Sequence, residues 1–205
     1  MAYCVATKTQ ACSHINLWKV GASSAKTVPG STNAPAPPRV ALAAGKQGRL
    51  SVVWYDVAKN VIRAVRTNTS ATGFGLIRSI KPPAHTSSIN RIQAEGTFGR
   101  LDVIVNDSLT TGPIDLFHTQ ILAGMKLTAS PSSFSHTKAT TVTFKVADAG
   151  QGVKGAKVTC IGKSATTGSA GTAKISYPKG TPAGKHVCTA KKSGYNPGKT
   201  TIRVT

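Results

Sequence analysis

The sequence predicts an all-β protein in two parts, and three observations lead to this class. A twelve-residue pattern occurs twice in residues 1–122, flanked each time by short alternating strands. Residues 125–205 contain about seven more short alternating strands, separated by turn residues. The 205 residues are 40% hydrophobic, which is enough for a core of normal size in one or two domains.

The chain opens on a predicted hairpin. Strands are expected at 2–7 and 14–20, on either side of a polar loop at 8–13. No charged segment followed by an apolar one is present, so the N-terminus does not have the pattern of a signal peptide. Because a strand begins directly after Met1, we expect the chain to be the tail of something longer. The alternative is a short natural start whose first strand pairs inside its own domain.

The repeat has the pattern G-x-x-G-R-L-x-V-x-x-x-D at residues 45–56 and again, 51 residues later, at 96–107. In each copy an alternating strand leads into a glycine-bounded turn, an apolar strand, a polar turn and a further alternating strand. The expected strands are 40–44, 50–55, 61–65 and 75–80 in the first copy, and 91–95, 101–105 and 114–121 in the second.

Three or four short strands per unit of about 50 residues are typical of a β-propeller blade. Residues 1–122 therefore predict two to three blades, in which the apolar second strand is buried on both faces. Three prolines make residues 32–39 an extended connector between the opening hairpin and the next blade.

This first part resembles the blades of secreted bacterial propellers of the sialidase-like, BNR-repeat kind. The Asp-box of that family, S-x-D-x-G-x-T-W, is absent; the nearest stretch, residues 68–75, has a glycine and an aromatic but no aspartate. The family's three-arginine carboxylate clamp and its Tyr–Glu nucleophile pair cannot be placed, since Glu95 is the only glutamate and falls in a repeated strand.

A propeller ring normally takes at least four blades, so these two to three would form an incomplete ring. The remaining blades lie upstream, or several copies assemble, or this part is a sandwich instead. An open stack would leave strand edges bare, which proteins generally avoid.

The second part, residues 125–205, predicts a β-sandwich from strand number and turn spacing. Its order of residues resembles bacterial Ig-like and carboxypeptidase-regulatory-like domains. The positions that carry this resemblance are Val153, Gly155, Ala156, Val158, Thr166, Thr167, Gly171, Ala173, Ile175, Gly194 and Tyr195. The resemblance implies a spacer or adhesive module without catalytic residues.

The four cysteines form two candidate disulfides, Cys4 with Cys12 and Cys160 with Cys188. The first two flank the opening loop, and the second two fall on strands that could face each other in the sandwich. Closing these loops would add about 2.5 and 3.5 kcal/mol in the chain-entropy model. Two bridges favour an oxidising compartment, so the expected location is extracellular or at the cell surface. The alternative is four buried free thiols in a cytosolic protein.

Charge is the strongest functional signal. The chain has 26 Lys plus Arg against 6 Asp plus Glu, a net charge of +20. Residues 123–205 carry 13 of these bases, 12 of them lysines, against one acid, Asp148. Lysines that alternate with apolar positions predict a basic sheet face that attracts polyanions, although a solvated surface with no specific partner would have the same composition. The predicted basic face consists of Lys145, Lys157, Lys174, Lys191 and Lys192.

Three aromatics are candidates for sugar contacts: Trp18, Trp54 and Tyr55. Trp54 and Tyr55 lie on an apolar strand, so at least one of them is expected in the core. Lysine in place of arginine and the scarcity of aromatics argue against sequence-specific nucleic-acid binding.

No candidate catalytic, metal-ligating or cofactor-binding group emerges. The six acids are well spread, and the only local pairing of a histidine with an acid, His118 with Asp115, would point to opposite faces of a strand. No apolar run is long enough to span a bilayer.

The sequence thus favours a non-enzymatic secreted or surface binding module for carbohydrate or an anionic envelope polymer. The alternatives are the C-terminal part of a sialidase-like glycoside hydrolase whose catalytic blades are missing, and a non-specific polyanion or nucleic-acid binder.

Overall fold

The computed structural model describes residues 1–6, 12–32, 39–84, 86–96, 100–109, 112 and 114–205. The expected polar loop at 8–13 and the connector at 32–39 fall largely outside these residues. The chain divides into two compact units, residues 1–123 and 124–205. In the described residues both units are built from β-strands, with two short 3₁₀ turns at Lys46–Gly48 and Val57–Lys59.

The first unit contains three antiparallel sheets, each of which runs through its strands in chain order. The first sheet consists of β1 (Ala2–Ala6), β2 (Cys12–Leu17) and β3 (Lys26–Thr27). The second consists of β4 (Val40–Ala44), β5 (Leu50–Asp56), β6 (Val61–Arg66) and β7 (Arg78–Ile80). In the third, β8 (Thr86–Gly96) pairs with β9 (Arg100–Leu109), which pairs with β10 (Ile114–Gly124).

Strand β5 lies between two hydrophobic clusters because both of its faces are apolar. Val52 and Trp54 point to one face and pack in a cluster with Ile15 of β2. Val53 and Tyr55 point to the opposite face, where they join the cluster that holds the apolar side chains of β8 and β9. The predicted burial of this strand on both faces is therefore confirmed.

Strand β9, the equivalent strand of the second repeat, is different. Val103 and Val105 are fully buried, but Ile104 between them is 48% exposed. In the described residues β9 is thus buried on one face only, and the prediction of two buried faces is wrong for this copy. The reason is packing within the first unit, where the second sheet covers the side of the third sheet on which Val103 and Val105 lie.

The two aspartates that end the repeat are both buried and hydrogen-bonded. Asp56 accepts a hydrogen bond from the backbone N–H of Lys59 at 3.2 Å and pairs with Nε of Arg63 at 3.1 Å. Asp107 accepts a hydrogen bond from the hydroxyl of Thr86. The repeated carboxylates therefore stabilise the fold at the ends of β5 and β9.

A repeat glycine, Gly96, allows two neighbouring sheets to approach closely. A Cβ at this position would lie 2.4 Å from the carbonyl oxygen of Ala44, at the end of β4. Any side chain would therefore force β8 away from β4.

The second unit is a β-sandwich of two sheets around one core. One sheet contains β11 (Lys126–Ser130), β13 (Thr140–Asp148), β14 (Gln151–Gly152) and β17 (Thr172–Tyr177). The other, in spatial order, contains β12 (Ser133–Phe134), β20 (Gly198–Val204), β18 (Gly184–Lys191), β15 (Lys157–Cys160) and β16 (Lys163–Thr166). A two-residue strand, β19 (Tyr195–Asn196), precedes β20. Strand β16 is the main element that the sequence did not predict.

The core of this unit follows from strict alternation. Phe144 and Ile175 point inwards from the first sheet, and Val158 and Ile202 point inwards from the second. Gly171 has a φ of +75°, and a Cβ there would lie 2.4 Å from the carbonyl oxygen of Val146, so only glycine fits this position.

Both predicted disulfides are present. Cys4 and Cys12 join β1 to β2, and Cys160 and Cys188 join β15 to β18. The second bridge links neighbouring strands of one sheet, with a Cα–Cα distance of 4.4 Å, and both of its cysteines are buried.

Candidate functional site

The surface of the second unit carries many cationic side chains and almost no anionic ones. The unit holds twelve lysines and Arg203 against one carboxylate side chain, Asp148, which is 2% exposed. One carboxylate cannot offset thirteen cations spread over the outside of the sandwich. The exposed cations therefore produce a positive field on both sheet faces.

The outer face of the five-stranded sheet carries five of these cations, and we call it the cation face. On β18 the exposed Lys185 and Lys191 alternate with the buried Cys188 and Ala190. Strands β15 and β20 follow the same apolar-in, polar-out pattern. The five cations of the cation face are Lys157, Lys185, Lys191, Lys199 and Arg203.

Two pairs of these cations stand directly opposite each other across neighbouring strands. Lys157 of β15 is paired in register with Lys191 of β18, and Lys185 of β18 with Arg203 of β20. Residues opposed in this way have Cβ atoms about 4.5–5.5 Å apart, and like charges at that distance destabilise a sheet. In residues 114–205, which the structure describes without a gap, neither pair has a carboxylate side chain on the same face.

The outer face of the other sheet is also basic but is arranged differently. Lys145 of β13 lies between Thr128 and Thr172, and Lys174 of β17 lies opposite Thr143. No two lysines are opposed on the paired positions of these three strands. We call this surface the threonine face; its lysines are Lys126, Lys145 and Lys174.

The five lysines predicted as one basic face do not lie on one face: four are divided between two faces, and Lys192 belongs to neither. Lys157 and Lys191 belong to the cation face, and Lys145 and Lys174 to the threonine face. Lys192, directly after β18, donates a hydrogen bond to the carbonyl of Lys154 and lies 5.9 Å from the ring centre of Tyr195. Sequence reasoning missed Lys185, Lys199 and Arg203, although the same alternation marks them: Arg203, for example, stands between the buried Ile202 and Val204.

The three candidate aromatics have different surroundings. Trp54 is fully buried and Tyr55 is 4% exposed, so neither can contact a ligand, because both faces of β5 are covered. The phenol of Tyr55 donates a hydrogen bond to Asn60 at 2.8 Å, and burial raises its pKa against a smaller lowering effect of Arg39.

Trp18 is partly exposed and lines a cavity of about 350 Å³ together with Leu17, Leu50, Thr69, Ser70 and Ala71. Its indole N–H donates to the carbonyl of Ala22 at 3.0 Å, which holds the ring at the cavity. Trp18 is thus the one candidate aromatic that remains open to a ligand.

On the third sheet, His118 lies close to the half-buried Asp102. His118 approaches Asp102 of β9 at 3.2 Å, and Gln120 donates to the same oxygen at 2.8 Å. The partner of His118 is therefore Asp102 and not Asp115, because side chains meet across strands more readily than along one. In the part of the chain that the structure describes, no group of three His, Cys, Asp or Glu side chains could hold a metal ion.

No protein-family model and no curated protein sequence matches the chain. Among solved structures, murine CEACAM1b is similar at 11% identity and a TM-score of 0.27, over 81% of this chain and 98% of that one. A Ca²⁺-stabilised adhesin that helps an Antarctic bacterium bind ice is similar at 12% identity and a TM-score of 0.26, over 93% of this chain and 55% of that one. Both TM-scores are below 0.5, so neither likeness carries an argument here. Within the described residues, no helix is both long enough and apolar enough to cross a membrane.

Proposed function

We propose that the chain is a non-enzymatic binding module of the cell exterior, and that its 124–205 unit binds an anionic envelope polymer. The observation that carries this proposal is the excess of thirteen cationic side chains over one buried carboxylate in that unit. Such a surface attracts polyanions over distances of about a Debye length, ~8 Å at physiological salt. Binding of this kind needs no cofactor and no catalytic group.

The two disulfides support a location outside the cytosol. Disulfides form and persist in oxidising compartments and are rare in cytosolic proteins. Both cysteine pairs of the chain are bridged. We therefore propose that the module works in the extracellular space or on a cell surface.

The architecture supports a display or adhesion role. The second sheet of the first unit is a four-stranded antiparallel meander in chain order, and it packs between two further sheets, as the blades of a propeller do. The second unit has the two packed sheets of an Ig-like or carboxypeptidase-regulatory-like domain. We propose these as the finer identities of the two units.

The proposal is tested by titrating the full chain with poly(glycerol phosphate) and with uncharged dextran in a calorimeter. We expect the anionic polymer to bind and the dextran not to bind. The affinity should fall steeply between 50 and 200 mM salt, because polyanion binding releases counterions. Equal binding of dextran, or no binding of the anionic polymer at low salt, would contradict the proposed function.

A further inference from the structure

We infer that the cation face is where the polymer docks, that its two opposed pairs each hold one phosphate group, and that the ligand is a phosphodiester polymer without bases. This inference rests on the proposed function, because it assigns a surface and a ligand class to the polyanion binding proposed above. The two pairs, Lys157 with Lys191 and Lys185 with Arg203, are called the phosphate clamps.

The geometry of each clamp suits one tetrahedral anion. Cβ atoms about 4.5–5.5 Å apart allow two long cationic side chains to converge on the same phosphate from neighbouring strands. In residues 114–205, no hydrogen bond or ion pair engages the side-chain nitrogens of these four residues, so all their donors are available.

The spacing of the clamps calls for a polymer. Lys185 and Lys191 are six residues apart on β18, which corresponds to about 20 Å at 3.4 Å per residue. Lys199 of β20 is paired with Thr189, which comes two residues before Lys191 on β18. It therefore adds a cation between the two clamps. A single phosphate can occupy only one clamp. A polymer that spans both clamps binds more tightly, because binding at the first clamp holds the next phosphate close to the second.

The energetics indicate that the clamps serve binding and not folding. Directly opposed like charges weaken a sheet. On the threonine face Lys145 and Lys174 each stand opposite a threonine, so the fold does not require lysines to oppose other cations. A bound phosphate would remove the repulsion within each clamp. The pairs therefore oppose the stability of the free protein and favour the stability of the complex.

The chemistry of the cation face favours a polymer without bases. Four of its five cations are lysines, which bind phosphate as point charges and do not form the bidentate fork of arginine. The outward-facing side chains beside the five cations include Val187, Thr159, Thr189 and Thr201, and none of these is aromatic. Nucleic-acid platforms gain about 1–3 kcal/mol per base from aromatic stacking, which this face does not offer. A polyol phosphate chain meets these requirements, because it supplies regularly spaced phosphate charges and has no bases that need an aromatic platform.

The test compares two charge-matched double variants of the full chain. Lys185→Thr/Lys191→Thr removes one cation from each clamp, and Lys145→Thr/Lys174→Thr removes two cations from the threonine face. We expect the clamp variant to bind poly(glycerol phosphate) about tenfold or more weakly, and the matched control to change affinity by about threefold or less. The clamp variant should also melt at a higher temperature than the wild type without ligand, which a misfolded protein would not do.

The possible outcomes distinguish the docking surface, the proposed function and the class of ligand. If the two variants lose affinity equally, or only the threonine-face variant loses it, the cation face is not the docking surface, while the proposed function stands. If the wild type does not bind, the proposed function itself fails. If single-stranded DNA of equal charge binds as tightly as poly(glycerol phosphate), or pyrophosphate binds as tightly as the polymer, the assignment of the ligand is overturned.

Discussion

At the scale of single residues, Tyr177 shows how burial alters chemistry. Its ring stacks on Phe134 with centroids 5.4 Å apart, and its hydroxyl donates to the carbonyl of Cys160 at 3.4 Å. Burial raises the pKa of Tyr177 to about 12. The folded state therefore favours the neutral phenol, whereas the unfolded chain ionises it near pH 10.

The raised pKa of Tyr177 makes the free energy of unfolding fall at alkaline pH. The stability that Tyr177 contributes is complete below pH 10 and is lost as the pH rises towards 12, at about 1.4 kcal/mol per pH unit. Titration of phenolate absorbance should show a late-ionising tyrosine that is missing in Tyr177→Phe. A late step of unchanged amplitude in that variant would contradict the assignment.

The disulfide between Cys160 and Cys188 closes a larger loop than the one between Cys4 and Cys12, with 28 residues of separation against 8. We expect Cys160→Ala/Cys188→Ala to lower the free energy of unfolding of the second unit by about 3.5 kcal/mol, and Cys4→Ala/Cys12→Ala to lower that of the first by about 2.5 kcal/mol.

Denaturant unfolding separates the two effects. Trp18 and Trp54 both lie in the first unit, so tryptophan fluorescence follows that unit, and circular dichroism follows both. A fluorescence transition that shifts in the Cys160→Ala/Cys188→Ala variant would contradict the expectation that each disulfide stabilises only the unit that contains it.

At the scale of strands, β5 and β9 share a repeat but not an environment. Val103 of β9 is fully buried and its neighbour Ile104 is 48% exposed. We expect Val103→Thr to cost about 1–3 kcal/mol, because it buries a hydroxyl without a prepared partner, and Ile104→Thr to cost about 0.5 kcal/mol or less. Thermal melts of the two variants measure this difference. Equal losses would mean that the outer face of β9 is covered in solution, as it would be in a larger stack of sheets.

Strand positions were the most predictable part of the fold. The strand expected at 40–44 has its predicted bounds, Val40–Ala44, because turn residues flank it on both sides. Lys163–Thr166 escaped prediction because it contains no strongly apolar residue and forms a strand only by pairing with β15. Tertiary pairing decided its structure, and local pattern did not.

At the scale of the whole molecule, charge was predictable from the sequence but its arrangement was not. Alternation shows that Lys157 and Lys174 point outwards from their strands, yet it does not show to which sheet a strand belongs. One signal in the sequence could have found the first clamp: Lys157 precedes Cys160 by three residues, and Lys191 follows Cys188 by three. A disulfide between adjacent antiparallel strands therefore places these two lysines opposite each other.

The first unit is also basic, with 13 cationic and 5 acidic side chains in residues 1–122, so net charge alone does not select the binding surface. Some of its cations are engaged within the fold. Arg63 pairs with Asp56 and donates to the carbonyl of Gly30, and Arg49 donates to the carbonyl of Thr67. We therefore expect the polymer to contact the sandwich of residues 124–205 and not the first unit.

The most direct test of this claim is an amide NMR titration of the full chain with poly(glycerol phosphate). We predict that the largest shift changes fall on β15, β18 and β20, around Lys157, Lys191 and Arg203, and that they diminish as salt is added. Shift changes confined to residues 1–123 would contradict the claim and would assign the binding surface to the first unit.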